Sequence, residues 1–195
     1  PPRPMVIDFE AVETGQLPPE LSASPADRPT ALAVAEDLAA GGRRSLKFTK
    51  EASLKYGFQP HAFYSSNRYG GGRIHFACDL LNSQARPGEC HIALRDYTQK
   101  GREYVEGPSL LLKSDGALLA GGKHLTSVPA GKWVHLDIRF QAGDQERPAS
   151  KHFQLEVTVP GEKPRVFEGQ PYADPRFTRF TWFGFSSTGS LGSVF

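Results

Sequence analysis

The sequence predicts an all-β fold in which two antiparallel sheets pack face to face, and three observations support this class. Apolar and polar residues alternate in many short segments, which is the pattern of strands with one buried face. The 20 glycines and 16 prolines fall between these segments in pairs such as PP, GG and DP, where tight turns are expected. The 13 Phe and 6 Tyr residues favour pleated surfaces over helices. No internal repeat indicates a propeller or a solenoid.

A series of segments carries the strand pattern and is predicted to form the two layers. In chain order they are MVIDFEA (residues 5–11), LKFTK (46–50), GFQPHAFY (57–64), GRIHFACDL (72–80), HIALRDY (91–97), PSLLLK (108–113), ALLA (117–120), KWVHLDIRF (132–140), HFQLEVTV (152–159), RVFEG (165–169) and RFTWFGFSS (179–187). Alternation predicts that one face of two of the longest segments lies in the core, namely Val134, Leu136, Ile138, Phe140, Phe153, Leu155 and Val157. We expect residues 1–195 to form one domain that was excised from a larger protein.

The connections are predicted from their turn residues. Ser114-Asp115-Gly116 joins two segments as a hairpin, because Asp-Gly supplies the positive φ that such a turn needs. The charged stretch GDQERPAS (143–150) is typical of an exposed loop between two strands. TALAVAEDLAA (30–40) fits a helix that ends at Gly41-Gly42 and an alternating strand equally well.

Charge and the length of apolar stretches argue against two classes of partner. Lys and Arg total 23 and Asp and Glu total 21, which gives a net charge of +2, and no basic stripe gathers the excess. Nucleic acid is therefore not expected as a partner. No apolar stretch approaches the ~20 residues that a membrane-spanning helix needs. The opening PPRPM lacks the apolar core of a secretion signal, so any export signal is expected to have been removed.

The order of several stretches resembles a known superfamily. The chain opens with IDFE followed by GQLP, continues with RSLKF and GPSLLLKSDGALLAGGKHLTSVPAGKWVHLDIRF, and closes with RFTWFGFSSTGSLGSVF. Over almost its whole length it resembles the concanavalin A-like lectin and glucanase domains, including the laminin-G-like modules attached to bacterial polysaccharide-degrading enzymes. The aspartate-containing continuation that commonly follows the closing strand of such modules is missing. The resemblance implies a jelly roll whose curved sheets hold ligands on the concave surface or at its rim.

A polar face rich in His, Arg and aromatic residues is the main functional signal. Sugar recognition needs this mixture, because a ring packs on the C–H side of a pyranose while charged groups bond to adjacent hydroxyls. A solvated outer sheet with cross-strand ion pairs would show the same alternation. Most of the predicted ligand-binding residues belong to three predicted strands, and one loop tyrosine and one further tryptophan complete the set. They are Arg73, His75, His91, Arg95, Tyr97, Trp133, His135, Asp137, Tyr69 and Trp182.

The aromatic candidates also have structural interpretations. Trp133 stands at the start of a strand, where a tryptophan often closes the edge of a sandwich. Trp182 lies among other rings, which favour core or surface depending on the strand's parity. Tyr64, Tyr69 and Tyr97 are comparable candidates, and Tyr69 sits in NRYGGG, a loop suited to a sheet rim.

Asp8 and Glu10 are the predicted metal ligands, because modules of the kind that the chain resembles often hold a structural calcium where the first and last strands meet. Calcium takes about six to eight oxygen ligands, and a two-residue spacing places both carboxylates on one side of a strand. An exposed acidic strand edge is an equal alternative. No organic cofactor is expected.

Cys78 and Cys90 have the same inward parity on segments predicted to be adjacent. A diagonal offset between them would exceed the ~7 Å Cα separation that a disulfide allows, so free thiols are favoured.

Catalysis is the less favoured interpretation. Glycoside hydrolysis needs paired carboxylates, and the E-x-D-x-x-E spacing of jelly-roll glucanases is absent. Polysaccharide lyases of this fold resemble one another in Arg, Gln-x-His and Tyr motifs, of which RIHFACD supplies only an Arg and a His. No HxH or HExxH spacing indicates a transition metal. We predict a secreted or periplasmic, bacterial-type carbohydrate-binding module that binds a polysaccharide or oligosaccharide and is tethered to a catalytic domain. The alternatives are a small jelly-roll lyase or hydrolase, and a structural or adhesive domain.

Overall fold

The computed structural model describes residues 3–194, and strands dominate it. The strands are β1 (Ser22–Ser24), β2 (Leu32–Ala35), β3 (Ser45–Phe48), β4 (His61–Ser65), β5 (Gly72–Leu81), β6 (Cys90–Asp96), β7 (Val105–Leu112), β8 (Ala117–Ala120), β9 (Lys123–Ser127), β10 (Trp133–Ala142), β11 (His152–Thr158), β12 (Arg165–Pro171) and β13 (Trp182–Ser187). Within the described residues, the single helical element is a 3₁₀ turn at Asn67–Tyr69.

The strands assemble into two large sheets and one small sheet. One sheet has seven strands in the order β1-β4-β13-β6-β7-β8-β9, and the other has four in the order β12-β11-β10-β5. Strands β2 and β3 form a separate pair. The pairings between these strands are antiparallel. The predicted class, an all-β antiparallel sandwich of the jelly-roll type, is confirmed.

The core lies between the two large sheets. The seven residues predicted from alternation on β10 and β11 are all buried, and Ile138 is 1% exposed. Phe76 of β5 contacts two rings of β13 across the interface, with centroid distances of 5.0 Å to Phe183 and 6.3 Å to Phe185. Burial of these rings and aliphatic side chains is the main stabilising contribution to such a sandwich.

The predicted hairpin joins β7 to β8. Lys113 N donates to the carbonyl oxygen of Ala117 at 2.9 Å, and Gly116 has a φ of 86°. A side chain at position 116 would be strained in that conformation, so the turn requires its glycine. The loop 143–150 connects β10 to β11 and is mostly exposed, as predicted.

The ambiguous stretch TALAVAEDLAA contains a strand and no helix in the structure. Its strand β2 pairs with β3, and Val34 also exchanges backbone hydrogen bonds of 2.9 Å with Gly15 and Gln16. Tertiary pairing thus overrides the helix propensity of its alanines and leucines.

The first predicted strand, MVIDFEA, is wrong, and two short strands were not foreseen. Residues 5–11 form no strand, and Phe9 has a φ of 66°. Glu10 Oε1 instead accepts hydrogen bonds from the backbone N–H groups of Arg43 at 2.8 Å and Arg44 at 2.9 Å. The Glu10 side chain therefore satisfies the backbone N–H groups of a turn, and its segment does not join a sheet as a strand. Strands β1 and β9 were missed, because SAS and KHLTS lack an apolar alternation.

The two cysteines lie in opposite sheets, so the expectation of adjacent strands is wrong. Cys78 belongs to β5 of the four-stranded sheet and Cys90 to β6 of the seven-stranded sheet. Both thiols are free, as predicted. Burial raises the pKa of the Cys90 thiol well above its usual range, so this thiol stays protonated.

Membrane insertion through a helix finds no support in residues 3–194. None of the helical structure there has the length and apolar character to cross a bilayer.

Candidate functional site

The predicted polar face is divided between the two sheets. Strands β5 and β10, which carry Arg73, His75, Trp133, His135 and Asp137, belong to the four-stranded sheet. Strand β6, with the neighbouring loop, belongs to the seven-stranded sheet. The prediction that these three strands share one surface is therefore wrong, because alternation shows which side chains point outward but not in which sheet a strand lies.

The outward surface of the four-stranded sheet, here the four-stranded face, is a network of ion pairs. His75 Nε2 lies 2.6 Å from an oxygen of Asp137, and Arg139 contacts the same carboxylate through Nε and Nη2 at 3.0 Å each. His135 Nδ1 lies 2.8 Å from Asp79 Oδ1. These contacts cross from β10 to β5 or run along β10, and most of their partners are exposed. This is the arrangement of a solvated outer sheet.

The outward surface of the seven-stranded sheet, here the seven-stranded face, is organised differently. The strand registers place its side chains in three rows across β4, β13, β6 and β7. The rows are Ser65-Trp182-Arg95-Glu106, Phe63-Gly184-Ala93-Ser109 and His61-Ser186-His91-Leu111. Because the middle row has small residues at its centre, the larger side chains of the outer rows fold over it.

Trp182 lies across Gly184 in this middle row. A Cβ added to Gly184 would stand 2.3 Å from Cη2 of Trp182 and 2.9 Å from Nε2 of His61. The Trp182 ring is 5.4 Å from that of His61 and 5.8 Å from that of Phe63, and Trp182 is 4% exposed. Trp182 therefore supports its neighbours and offers little free surface of its own.

Arg95 packs against two aromatic rings. Its guanidinium carbon lies 4.4 Å from the Trp182 ring and 4.0 Å from the Tyr104 ring. Its Nε donates to Glu106 Oε2 at 3.2 Å. The two cation–π contacts and the bond to the carboxylate fix the plane of the guanidinium.

A β-bulge brings a second polar pair beside Arg95. The register between β6 and β7 shifts between Ala93 and Arg95, so that Glu106 and Ser109 both face outward. His91 Nε2 lies 3.1 Å from Glu106 Oε1 and 2.8 Å from Ser109 Oγ. Burial by itself would raise the pKa of Glu106, but hydrogen bonds from His91 and Ser109 and the nearby charges lower it to about 2. Glu106 is thus a carboxylate at neutral pH. Since His91 uses one nitrogen for both partners, the trio is not the relay of a serine hydrolase.

His61 is a buried neutral imidazole. Burial is the main cause that lowers its pKa to about 4, and the charges of Arg95 and His91 add to the effect. Its Nε2 is buried and has no hydrogen-bond partner among residues 3–194. An unpaired buried nitrogen of this kind tolerates the neutral form of the ring far better than the charged form.

Tyr97 is fixed at the end of β6 by its backbone. Its N–H donates to Thr181 Oγ1 at 3.0 Å. The preceding Asp96 is fully buried and accepts hydrogen bonds from the loop that follows β6 and from Thr178 and Arg179 before β13. The Tyr97 ring itself is 43% exposed.

A continuous line of rings runs over this face, and we call it the aromatic row. Successive centroid distances are 5.4 Å from Tyr56 to Phe58, 5.6 Å to His61, 5.4 Å to Trp182, 6.0 Å to Tyr97 and 5.5 Å to Tyr104. The exposed rings lie toward the two ends, where Tyr56, Phe58 and Tyr97 are 47%, 44% and 43% exposed. Exposed rings next to a fixed guanidinium and carboxylate form a surface that accepts both apolar and hydroxyl groups.

Of the predicted ligand-binding residues, the structure brings His91, Arg95, Tyr97 and Trp182 together on the seven-stranded face. Tyr69 lies apart, where its hydroxyl donates to the carbonyl oxygen of Arg3 at 2.8 Å.

The remaining candidates occupy other positions. Tyr64 points into the sandwich and stacks on Phe183 at 5.4 Å, and Trp133 is half-buried at the start of β10.

The calcium prediction loses the strand on which it rested. Asp8 Oδ1 accepts from the backbone N–H of Glu10 at 3.2 Å, and the carboxylate of Glu10 already accepts two backbone N–H groups. No group of three or more His, Cys, Asp or Glu side chains suited to a metal ion occurs within residues 3–194. Calcium at Asp8 and Glu10 stays a prediction, to be tested by metal removal.

Sequence reasoning missed several residues of the face, namely Tyr56, Phe58, His61, Phe63, Tyr104, Glu106 and Ser109. Alternation in QPHAFY places His61 and Phe63 on one side, so the first part of the signal was present. Glu106 and Ser109 have opposite parity in the sequence, and only the bulge brings them together. Tyr56 and Phe58 lie in a loop whose conformation a period of two does not describe.

Comparisons with known proteins bear on the fold of the chain and were made by sequence and by structure. No family model matches the chain, and no curated protein sequence is significantly similar to it. The structure is similar to that of an endo-β-1,4-glucuronan lyase from the fungus Trichoderma reesei, with a TM-score of 0.52, 13% identity, and coverage of 84% of this chain and 82% of the lyase. The catalytic domain of a glycoside hydrolase family 131 protein from Coprinopsis cinerea gives a TM-score of 0.48 at 13% identity, covering 85% of this chain and 77% of that domain. The likeness to the lyase agrees with the jelly-roll fold of this chain.

Proposed function

We propose that this protein binds a polysaccharide on the seven-stranded face, along the aromatic row. The observation that supports this most is the arrangement of Tyr97, Arg95 and Trp182, in which an exposed ring and a guanidinium whose plane is already fixed both contact the Trp182 ring. A pyranose presents an apolar C–H side and equatorial hydroxyls, which match a ring face and a planar donor respectively. The lyase of similar fold acts on a glucuronan, and this supports a carbohydrate as the ligand class.

Preorganisation favours this face over the four-stranded face. Arg95 and Glu106 are mostly buried and have defined partners, so little side-chain freedom is lost when a ligand arrives. Most of the ion-paired side chains of the four-stranded face are solvated, and binding would require water to be removed from several charges at once. We therefore assign binding roles to His91, Arg95, Tyr97 and Trp182, with Trp182 supporting Arg95 from below.

An affinity electrophoresis panel tests the proposal. Gels containing barley β-glucan, xylan, mannan, alginate, pectate or glucuronan are run with the parent protein and with single variants. In gels of the polysaccharide that retards the parent most, Tyr97→Ala should weaken the affinity about tenfold, or ~1.4 kcal/mol. Arg95→Ala should have a similar effect.

The matched controls are His135→Ala and Trp133→Ala on the four-stranded face, and both should behave as the parent does. If the control variants lose binding while Tyr97→Ala retains it, the ligand lies on the four-stranded face and the assignment is wrong.

A lyase is the second candidate, and the neutral His61 next to Arg95 is the observation in its favour. Elimination from a uronic acid needs a base for the proton beside the carboxylate, a cation for that carboxylate and an acid for the leaving oxygen. His61, Arg95 and Tyr97 are residues of these types, and each of them contacts Trp182. Binding without turnover is favoured because Nε2 of His61 is buried against the sheet. Release of ultraviolet-absorbing unsaturated sugars from glucuronan or alginate would establish the lyase instead.

The setting that accompanies the proposal is extracellular. Polysaccharides such as those of the panel are found outside cells, so we propose a secreted or periplasmic protein that works beside a tethered catalytic domain. Cell fractionation of the source organism, with detection of the full-length protein by antibody, tests the location and the length together.

A further inference from the structure

The loop between β3 and β4 carries a pair of exposed rings at the end of the aromatic row opposite Tyr97. Tyr56 and Phe58 are nearly parallel, with an interplanar angle of 4°, and each is close to half exposed. Resting on the proposed function, we infer that this ring pair is a second contact site for the same polysaccharide chain. The protein then recognises an extended glycan and not a single sugar.

A buried ammonium group holds this loop against the sheet. Lys50 is 7% exposed, and its Nζ donates to the carbonyl oxygens of Gly57 at 2.6 Å, Gln59 at 2.5 Å and Ser187 at 3.0 Å. The first two acceptors belong to the loop and the third to the end of β13. All three N–H groups of the ammonium are thereby used for backbone carbonyls. Burial lowers the pKa of Lys50, which is the cost of placing a charge at this position.

The side chain of Gln59 fixes the same loop a second time. Its Oε1 accepts from the backbone N–H groups of Lys55 at 3.1 Å and Tyr56 at 3.0 Å. Its Nε2 donates to Ser24 Oγ on β1 at 2.8 Å. The backbone that carries Tyr56 is thus connected to β1 through Gln59 and to β13 through Lys50.

Two buried polar groups devoted to a short loop have a clear consequence for binding. The exposed half of each ring contributes no burial to folding, but rings already fixed in place lose little entropy when a ligand packs on them. The row from Phe58 through His61 and Trp182 to Tyr97 is continuous, so both exposed ends lie on one surface. A ligand that contacts both ends must extend along the row, and a single pyranose is too small to do so.

A ladder of oligosaccharides measures this second contact. The ladder runs from disaccharide to hexasaccharide and is prepared from the polysaccharide that retards the parent most in affinity gels; binding is followed by titration calorimetry. The affinity of the parent should rise with length until the row is spanned. Phe58→Ala should lower the affinity for the hexasaccharide about tenfold, which corresponds to ~1.4 kcal/mol, and leave the disaccharide affinity unchanged. Tyr97→Ala should weaken both ligands.

Lys50→Met tests the positioning role of the buried ammonium, with Lys47→Met on β3 as its matched control. Lys50→Met should reproduce the length-selective loss of Phe58→Ala, whereas general damage to the fold would weaken every length alike. Val166→Ala, at an exposed apolar residue of β12, should leave all affinities unchanged.

The outcomes separate the two proposals. If Phe58→Ala and Tyr56→Ala bind the hexasaccharide as the parent does while Tyr97→Ala does not, the second contact is overturned and the proposed function stands. An affinity that does not depend on length also overturns the second contact. If no polysaccharide in the panel retards the parent, both proposals are contradicted.

Discussion

Adding one methyl group at Gly184 tests how tightly the seven-stranded face is packed. The new Cβ would stand 2.3 Å from Cη2 and 2.8 Å from Cζ2 of Trp182, and 2.9 Å from Nε2 of His61. Contacts this short do not occur in folded proteins, so the indole or the imidazole must move. Both rings are packed against other side chains: Trp182 contacts Arg95 and Phe63, and His61 contacts Phe58.

The cost of Gly184→Ala follows from this crowding. Overpacking of a well-packed region costs about 1–3 kcal/mol, and a chain of this size loses roughly 2–4 °C of melting temperature per kcal/mol. We therefore expect the melting temperature to fall by about 2–12 °C, measured by circular dichroism. The near-ultraviolet aromatic signal should change as well, because Trp182 is displaced.

Gly41→Ala is the matched control for Gly184→Ala. Gly41 has no heavy atom within 4 Å of an added Cβ and no left-handed φ, so this variant should melt as the parent does. A Gly184→Ala protein with the melting temperature and aromatic spectrum of the parent would refute the packing on which the aromatic row depends.

The other predictions concern the core, the pH response, the thiols and calcium. Ile138→Ala should cost ~2–5 kcal/mol in denaturant titrations, because it opens a cavity between the sheets; an unchanged midpoint would count against its burial. The pKa of His61 falls from 6.5 to about 4 on folding, so the unfolded chain binds the proton more tightly. The free energy of unfolding should therefore fall by up to ~3 kcal/mol as the pH is lowered from ~6.5 to about 4. His61→Gln should flatten that decline, and a variant with the pH profile of the parent would disprove the role of His61. Dithiothreitol should leave the melting temperature unchanged, since Cys78 and Cys90 are free, whereas a loss of several degrees would indicate a disulfide. If calcium binds in the N-terminal segment, EDTA should lower the melting temperature and added calcium restore it; no response would remove the metal.

The fold was largely predictable because burial acts on each strand locally. Alternation in KWVHLDIRF and HFQLEVTV identifies the buried face correctly, and Asp115-Gly116 identifies the hairpin. MVIDFEA was wrong because the carboxylate of Glu10 accepts hydrogen bonds from backbone N–H groups of a distant turn, and this requirement lies outside the segment itself.

The candidate site was only half predictable, because alternation does not show in which sheet a strand lies until the sheets are assembled. Strands β5 and β6 follow one another in the chain and alternate alike, yet they lie in opposite sheets. His75 and His91 therefore looked equivalent, although one joins a solvated ion-pair network and the other contacts Glu106. The bulge in β7 and the conformation of the loop that carries Phe58 depend on long-range contacts, which no local pattern records.

The central claim, that a polysaccharide binds the seven-stranded face, is tested most directly by the two tryptophans. The chain has 2 Trp residues, Trp182 on β13 of the seven-stranded sheet and Trp133 on β10 of the four-stranded sheet. Their indole N–H signals in an NMR spectrum of the ¹⁵N-labelled protein, assigned with Trp133→Phe, report on one sheet each. Titration with the hexasaccharide of the polysaccharide that retards the parent most in affinity gels should shift the Trp182 signal and leave the Trp133 signal in place. A shift confined to Trp133 would contradict the claim.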